Sequence, residues 1–109
     1  IIKKAKNLPN DYKYENHDSR CWGFFRSKKK AIQAVTENWA DMNEAAYYHY
    51  VIIEPYYEGL ISPIIGEEMW FKAKYEKRTD DRGQYNYCVG YEPCEVPEWA
   101  KQTCGWAIS

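Results

Sequence analysis

The segment 27–45 constrains the fold more than any other part of the chain. Ala31, Ile32, Val35, Trp39, Met42 and Ala46 recur there at three- and four-residue steps and make one apolar stripe along a helix. Gln33, Thr36, Glu37, Asn38, Asp41 and Glu44 fall mostly on the other side. Ser27 stands at the N-cap position, where a hydroxyl accepts from the free N–H groups of the first turn. A long helix with one apolar face needs a surface to cover, and the flanking segments supply it as strands.

Residues 11–16 alternate with the two-residue period of a strand with one wet face. Residues 21–25 form a short aromatic run around Gly23 that leads into the helix cap. The segment 47–57, rich in Tyr, Val and Ile, predicts a central strand ending near Pro55. A strand over 68–77 follows a loop, and 78–84 carries the Asp and Gly of a hairpin turn that returns the chain antiparallel over 85–91. Pro93 and Pro97 stop regular pairing, and 97–100 opens one helical turn with Pro at its first position. The order is β-β-α-β-β-β. That order defines an α+β domain in which an antiparallel sheet of about five strands carries one long helix on one face. No repeat, linker or composition shift divides the 109 residues, so a single domain is expected. Residues 1–10 are expected to be flexible and 92–109 irregular.

One helix covers one sheet face, so the other must be wet, covered by the tail, or used for recognition. In the strand at 68–77, Met69, Phe71, Ala73 and Tyr75 share one face, and Trp70, Lys72, Lys74 and Glu76 share the other. With Val51, Ile53, Phe71 and Val89 toward the helix, the opposite face offers Tyr48, Tyr50 and Trp70, with Lys72 and Lys74 at its edge. Aromatic rings beside cations are the composition of recognition surfaces. The competing expectation is that the C-terminal segment, with Trp99 and Trp106, folds over this face as a second small core.

Composition narrows the classes. Fifteen Lys+Arg against 16 Asp+Glu leave a net charge of -1, which excludes both a basic sheath for long nucleic acid and an acidic mimic of one. No apolar run approaches the roughly 18 residues that span a bilayer, and the first residues lack the apolar core of a signal peptide. A cytoplasmic protein with reduced thiols at Cys21, Cys88, Cys94 and Cys104 is therefore expected. The cysteine spacing has no C-x2-C knuckle, and His17 with Cys21 makes at most a partial zinc site, so no metal or cofactor is expected.

Two constellations remain. Ser27 with Lys28, Lys29 and Lys30 joins a helix start to three cations, an anion site if it faces a ligand and a solubilising run if it does not. His49 with Glu54, Glu58, Glu67 and Glu68 holds the types needed for acid–base chemistry, without the spacing of any hydrolase, Walker or dinucleotide motif. Structural and solvated roles explain these residues more simply, and a catalyst is not expected.

The stretch 22–35, Trp-Gly-Phe-Phe-Arg-Ser-Lys-Lys-Lys-Ala-Ile-Gln-Ala-Val, continues into Glu37-Asn38-Trp39. It resembles a strand-to-helix junction of small proteins of phages and prophages of Gram-positive bacteria, and the later Glu68-Met-Trp-Phe-Lys is similar in kind to their following strands. The resemblance covers about residues 20–75 and brings no catalytic residues with it. It implies a small accessory protein that acts by binding and blocking a host component.

The expectation is thus a non-catalytic binding protein that blocks a host protein, an immune effector being the plausible target, through Tyr48, Tyr50, Trp70, Lys72 and Lys74. The alternative is a sequestering binder of a nucleotide, with Ser27, Lys28, Lys29 and Lys30 on the phosphate. A third reading is an enzyme built on His49 and the neighbouring glutamates. A homodimer is compatible with the first two.

Overall fold

The computed structural model describes residues 1–9, 11–12, 18–59, 64 and 66–101. Five strands form one sheet: β1 (Ile2–Ala5), β2 (Ser19–Gly23), β3 (Tyr50–Ile53), β4 (Met69–Asp80) and β5 (Gly83–Pro93). Their order is β2-β1-β3-β4-β5, and every neighbouring pair is antiparallel. Helix α1 (Lys28–Thr36) crosses one face, and a single turn, α2 (Glu98–Lys101), lies near the C-terminal end. The α+β class and the five-stranded antiparallel sheet are as the sequence predicts.

Three details differ. The expected flexible start contains β1, which sits between β2 and β3 in the sheet. Its consecutive isoleucines and lysines hide the strand period, because each lysine is held by a carboxylate rather than by water. Of the strand expected over 11–16, residues 13–16 lie outside the described residues, and Asp11 and Tyr12 are not in a strand. The tail expected to be irregular from 92 begins with the last residues of β5, and α2 follows where one helical turn is expected.

The third difference is the length of α1, nine residues instead of a helix through 45. Two asparagines account for it, since their side chains compete for backbone bonds and tolerate left-handed geometry. Asn38 takes φ 53°. Its Oδ1 accepts from the Asn43 N–H at 3.1 Å. Asn43 is buried, its Oδ1 accepts from the Ala46 N–H at 2.5 Å, and its Nδ2 donates to the Tyr48 carbonyl at 3.1 Å and to Tyr75 Oη at 2.9 Å. The chain after Thr36 therefore coils through turns, with Ala40, Asp41, Glu44, Ala45 and Ala46 also at positive φ.

The main core lies between α1 and the sheet, where Ile2, Ala31, Ala34, Val35, Met42, Val51, Ile53, Phe71, Ala73, Cys88 and Tyr91 pack together. Burying such side chains contributes about 1.5–3 kcal/mol each, enough to hold a short helix that would not form alone. Helix and sheet approach closely at Gly90, where a Cβ would meet the Thr36 carbonyl oxygen at 1.9 Å. Val89 beside it is an extra residue in β5, since Lys74 pairs with Gly90 and Tyr75 with Cys88.

On the other face, Ala5, Ile52, Trp70, Trp99 and Ala100 form a second core, with Leu8, Tyr50, Cys94 and Val96 at its margin. The Cys94 N–H donates to the Trp70 carbonyl at 3.0 Å and lays the chain after β5 along β4. Trp99 is delivered onto Trp70, with ring centroids 5.7 Å apart at 74°. Trp106 lies outside the described residues.

Candidate functional site

The second core removes the aromatic surface expected from the sequence. Trp70 is buried, and Tyr50 is half-buried with its ring edge-on to Trp99 at 5.5 Å and to Trp70 at 6.2 Å. Tyr48 is buried too, turned toward Lys4, whose Nζ lies 4.3 Å from the ring centroid. Lys72 and Lys74 remain exposed on β4, with Lys72 Nζ 4.0 Å from Glu92 Oε1. The five residues do not form one exposed face. Trp99 takes the place expected for a partner, because an indole of that size gains more from burial than α2 loses by being ordered.

The acid–base constellation is also taken apart. His49 precedes β3 and Glu54 follows it, so the strand holds their Cα atoms about 16 Å apart at 3.3 Å per residue. His49 stacks on Tyr75 with centroids 5.7 Å apart, and its Nδ1 lies 3.4 Å from Tyr75 Oη. Burial first, and then the charge of Lys72, push its pKa below the usual histidine value. The phenols of Tyr75 and Tyr91 are pushed up, mainly by burial, and the Tyr91 hydroxyl donates to the Tyr48 carbonyl at 2.7 Å. These groups are a hydrogen-bonded strut between β3, β4, β5 and the 38–46 turns.

Glu54 is engaged on the other side of β3, where its Oε1 lies 2.8 Å from Lys3 Nζ, the two side chains being 7% and 3% exposed. Glu68 Oε2 accepts from the Gly66 N–H at 3.1 Å. Among the described residues there is no group of three or more His, Cys, Asp and Glu that could hold a metal ion. His17 and Cys104 lie outside the described residues, and Cys21, Cys88 and Cys94 are unbridged. No described helix is long and apolar enough to cross a membrane.

A different site appears at the junction of β2 and α1. A cleft of ≈ 1000 Å³ opens there between residues 23–28 on one wall and 54–59 on the other, with Glu67, Met69 and Ile53 closing it below. The sequence builds it simply. β2 stops at Gly23, and Ser27 starts α1 by accepting from the Lys30 N–H at 3.3 Å. Only three residues, Phe24, Phe25 and Arg26, link strand to cap.

Phe25 turns in against the main core and meets Trp39 edge-on at 6.0 Å. Phe24 turns out and is 74% exposed. On the facing wall, Pro55 ends β3 pairing and Tyr57 is 65% exposed, while Tyr56 Oη reaches Glu54 Oε1 at 3.5 Å. Arg26 and Lys28 charge the first wall positively, and Glu58 on the second wall and Glu67 below are negative.

Of the expected anion-site residues, Ser27 and Lys28 line this cleft; Lys29 and Lys30 are exposed on α1 but are not among its lining residues. α1 has no acidic residue in its first turn. Phe24 and Tyr57 were not singled out from the sequence. The signal available was the doublet Phe24-Phe25 between a strand and a cap, where one ring must face outward. Comparison of the chain with family models, with curated proteins and with solved structures found no match.

Proposed function

We propose that this is a non-catalytic binding protein that works by occupying a protein partner, with the β2–α1 cleft as its contact site. The observation that carries the reading is the pair Phe24 and Tyr57, the two most exposed large hydrophobic residues described, both lining one concavity. Exposed rings at a concave site supply the buried anchors on which binding energy concentrates, and their exposure has no role in the fold itself. Arg26 and Lys28 with Glu58 and Glu67 line the cleft with charges of both signs, which orients a segment carrying both signs. The likeness of residues 22–39 to phage and prophage proteins supports blocking of a host protein, such as a defence component, as the consequence of that contact.

A second reading, capture of a nucleotide, has its own observation. Ser27 caps a helix whose first turn holds Lys28, Lys29 and Lys30 and no acid, at the wall of a cleft lined with rings. A base stacks on Phe24 or Tyr57 in this account, and the phosphate takes the helix start.

Native mass spectrometry of protein purified from its host separates the two, because a retained nucleotide mass supports the second reading. Affinity capture with wild type and with Phe24→Ala/Tyr57→Ala tests the first, since a specific protein lost from the folded double variant supports it. Capture that is unchanged by the double variant would overturn the cleft as the contact site. Changing Lys28, Lys29 and Lys30 to Glu abolishes nucleotide retention and only slows protein association.

A further inference from the structure

We propose that the outer edge of β5 is a homodimer interface, in which residues 84–88 of two copies pair antiparallel about a two-fold axis at Asn86 and join two sheets into one. The inference is independent of the cleft. β5 is the last strand of the sheet, and among the described residues its backbone bonds run to β4 alone. An exposed strand edge is a template for another strand, and proteins that keep an edge free blunt it with charges, proline or shortness. The opposite edge strand, β2, follows that rule with five residues and Arg20. β5 has such features only toward its far end, at the extra residue Val89, Glu92 and Pro93, and none over residues 83–88.

Its residues 83–91, Gly-Gln-Tyr-Asn-Tyr-Cys-Val-Gly-Tyr, hold no charge in a chain that is 28% charged. The charges of this hairpin stand instead on the inner strand, at Glu76, Lys77, Arg78 and Asp80, and in the loop, at Asp81 and Arg82. Beyond Tyr75 the hairpin projects past the core, with Gln84, Tyr85, Asn86 and Tyr87 all exposed. A strand so placed, without a charge to repel another, is built to be paired.

The register follows from the turn. Asp80 pairs with Gly83 around a two-residue loop, so the pairs Asp80/Gly83, Arg78/Tyr85 and Glu76/Tyr87 direct their N–H and C=O groups at each other. Gln84, Asn86 and Cys88 therefore direct theirs outward. The extra residue Val89 and the kink at Gly90, φ 140°, end the regular edge on one side, and the Asp81-Arg82 loop ends it on the other. The longest two-fold pairing of what remains sets Asn86 opposite its own copy and Gln84 opposite Cys88.

That register has a consequence for the side chains. Tyr85 of each copy comes to lie across from Tyr87 of the other, as close non-hydrogen-bonded pairs on one face, where aromatic pairs stabilise a sheet. The face is already prepared, because the Arg78 guanidinium carbon sits 3.6 Å from the centre of the Tyr87 ring, and Glu76 Oε1 holds that guanidinium at 2.6 Å.

Analytical ultracentrifugation of the full chain tests the assignment, together with amide hydrogen exchange read residue by residue. Wild type sediments as a dimer, with the amides of Gln84, Asn86 and Cys88 protected. Asn86→Lys sets two ammonium groups face to face at the axis, raises the dimer dissociation constant several-fold or more, and frees those three amides while the circular dichroism stays that of wild type. Thr79→Lys adds the same charge on the inner strand and leaves the dimer intact. A wild type that is monomeric at every concentration overturns the proposal. So does a dimer whose Gln84, Asn86 and Cys88 amides exchange freely, or one that survives Asn86→Lys as well as Thr79→Lys.

Discussion

Gly90→Ala is expected to be among the most damaging single-methyl additions in this protein. Gly90 takes φ 140°, a backbone conformation that L side chains rarely adopt, and holding alanine there costs about 1–3 kcal/mol. Space adds to the cost. The new Cβ would lie 1.9 Å from the Thr36 carbonyl oxygen and 2.9 Å from its carbon, both backbone atoms at the end of α1. No rotamer relieves that contact, so α1 must lift off β5 by about 1.5 Å to reach an ordinary separation. Lifting loosens Ala34 and Val35 against Phe71 and Tyr91, an overpacking cost of about 1–3 kcal/mol. The two together give about 2–6 kcal/mol.

For a domain of this size the urea dependence is about 2 kcal/mol/M, so the unfolding midpoint falls by about 1–3 M. Gly83→Ala is the control, because φ is 114° there and nothing lies within 4 Å of the added Cβ. It carries the backbone cost without the collision. Urea titration followed by tryptophan fluorescence gives both midpoints. Equal losses for the two variants, or a Gly90→Ala midpoint within error of wild type, would refute the close approach of α1 to β5.

Lys3→Met and Lys4→Met, neighbours on β1, are expected to differ in urea titration. The first leaves Glu54 buried without its ion pair, for a loss of about 3–5 kcal/mol. The second removes an ammonium that lies over the Trp22 and Tyr48 rings and pairs with Glu44; the lost contacts are offset because a charge is no longer buried, and Glu44 is reached by water, so stability changes by about 1 kcal/mol or less. Trp99→Ala empties the second core, costs about 3–5 kcal/mol, and exposes Trp70, which shows as a red shift of tryptophan emission. His49 has a lowered pKa in the folded state, so stability is fully present above the unfolded value near 6.5 and declines as pH falls through it toward the folded value. His49→Gln removes that part of the decline, which urea midpoints measured across the acid range will show.

The fold was legible wherever local chemistry and tertiary position agree. Ser27 caps α1 in the structure as its hydroxyl suggests, and the hairpin at Asp81-Arg82 lies inside the segment whose Asp and Gly predict it. The alternation of Met69, Phe71 and Ala73 against Trp70, Lys72 and Lys74 assigns faces that the structure keeps, the first set toward α1 and the second away from it. The helix end was not legible, because the stripe through Trp39 and Met42 fits a helix as well as it fits the turns that Asn38 and Asn43 impose. The candidate site moved for a related reason. Tyr50 and Trp70 have the composition of a recognition surface, and the same composition serves a core once Trp99 arrives to cover it.

The sequence by itself determined the class of the fold, the start of its helix, the hairpin and the two faces of β4, since each follows from nearest neighbours and from periods of two and 3.6. Tertiary structure alone decided which lysines are buried. Lys3 and Lys4 read as a polar tail, and they became the middle of a sheet strand because Glu54 and Glu44, each at least 40 residues away in the chain, neutralise them on opposite faces. It also decided that α2 covers one face while Phe24 and Tyr57 stay in water. Long-range pairing of charges and rings is invisible to local periodicity, and in this protein it sets both where the core closes and where the surface remains open.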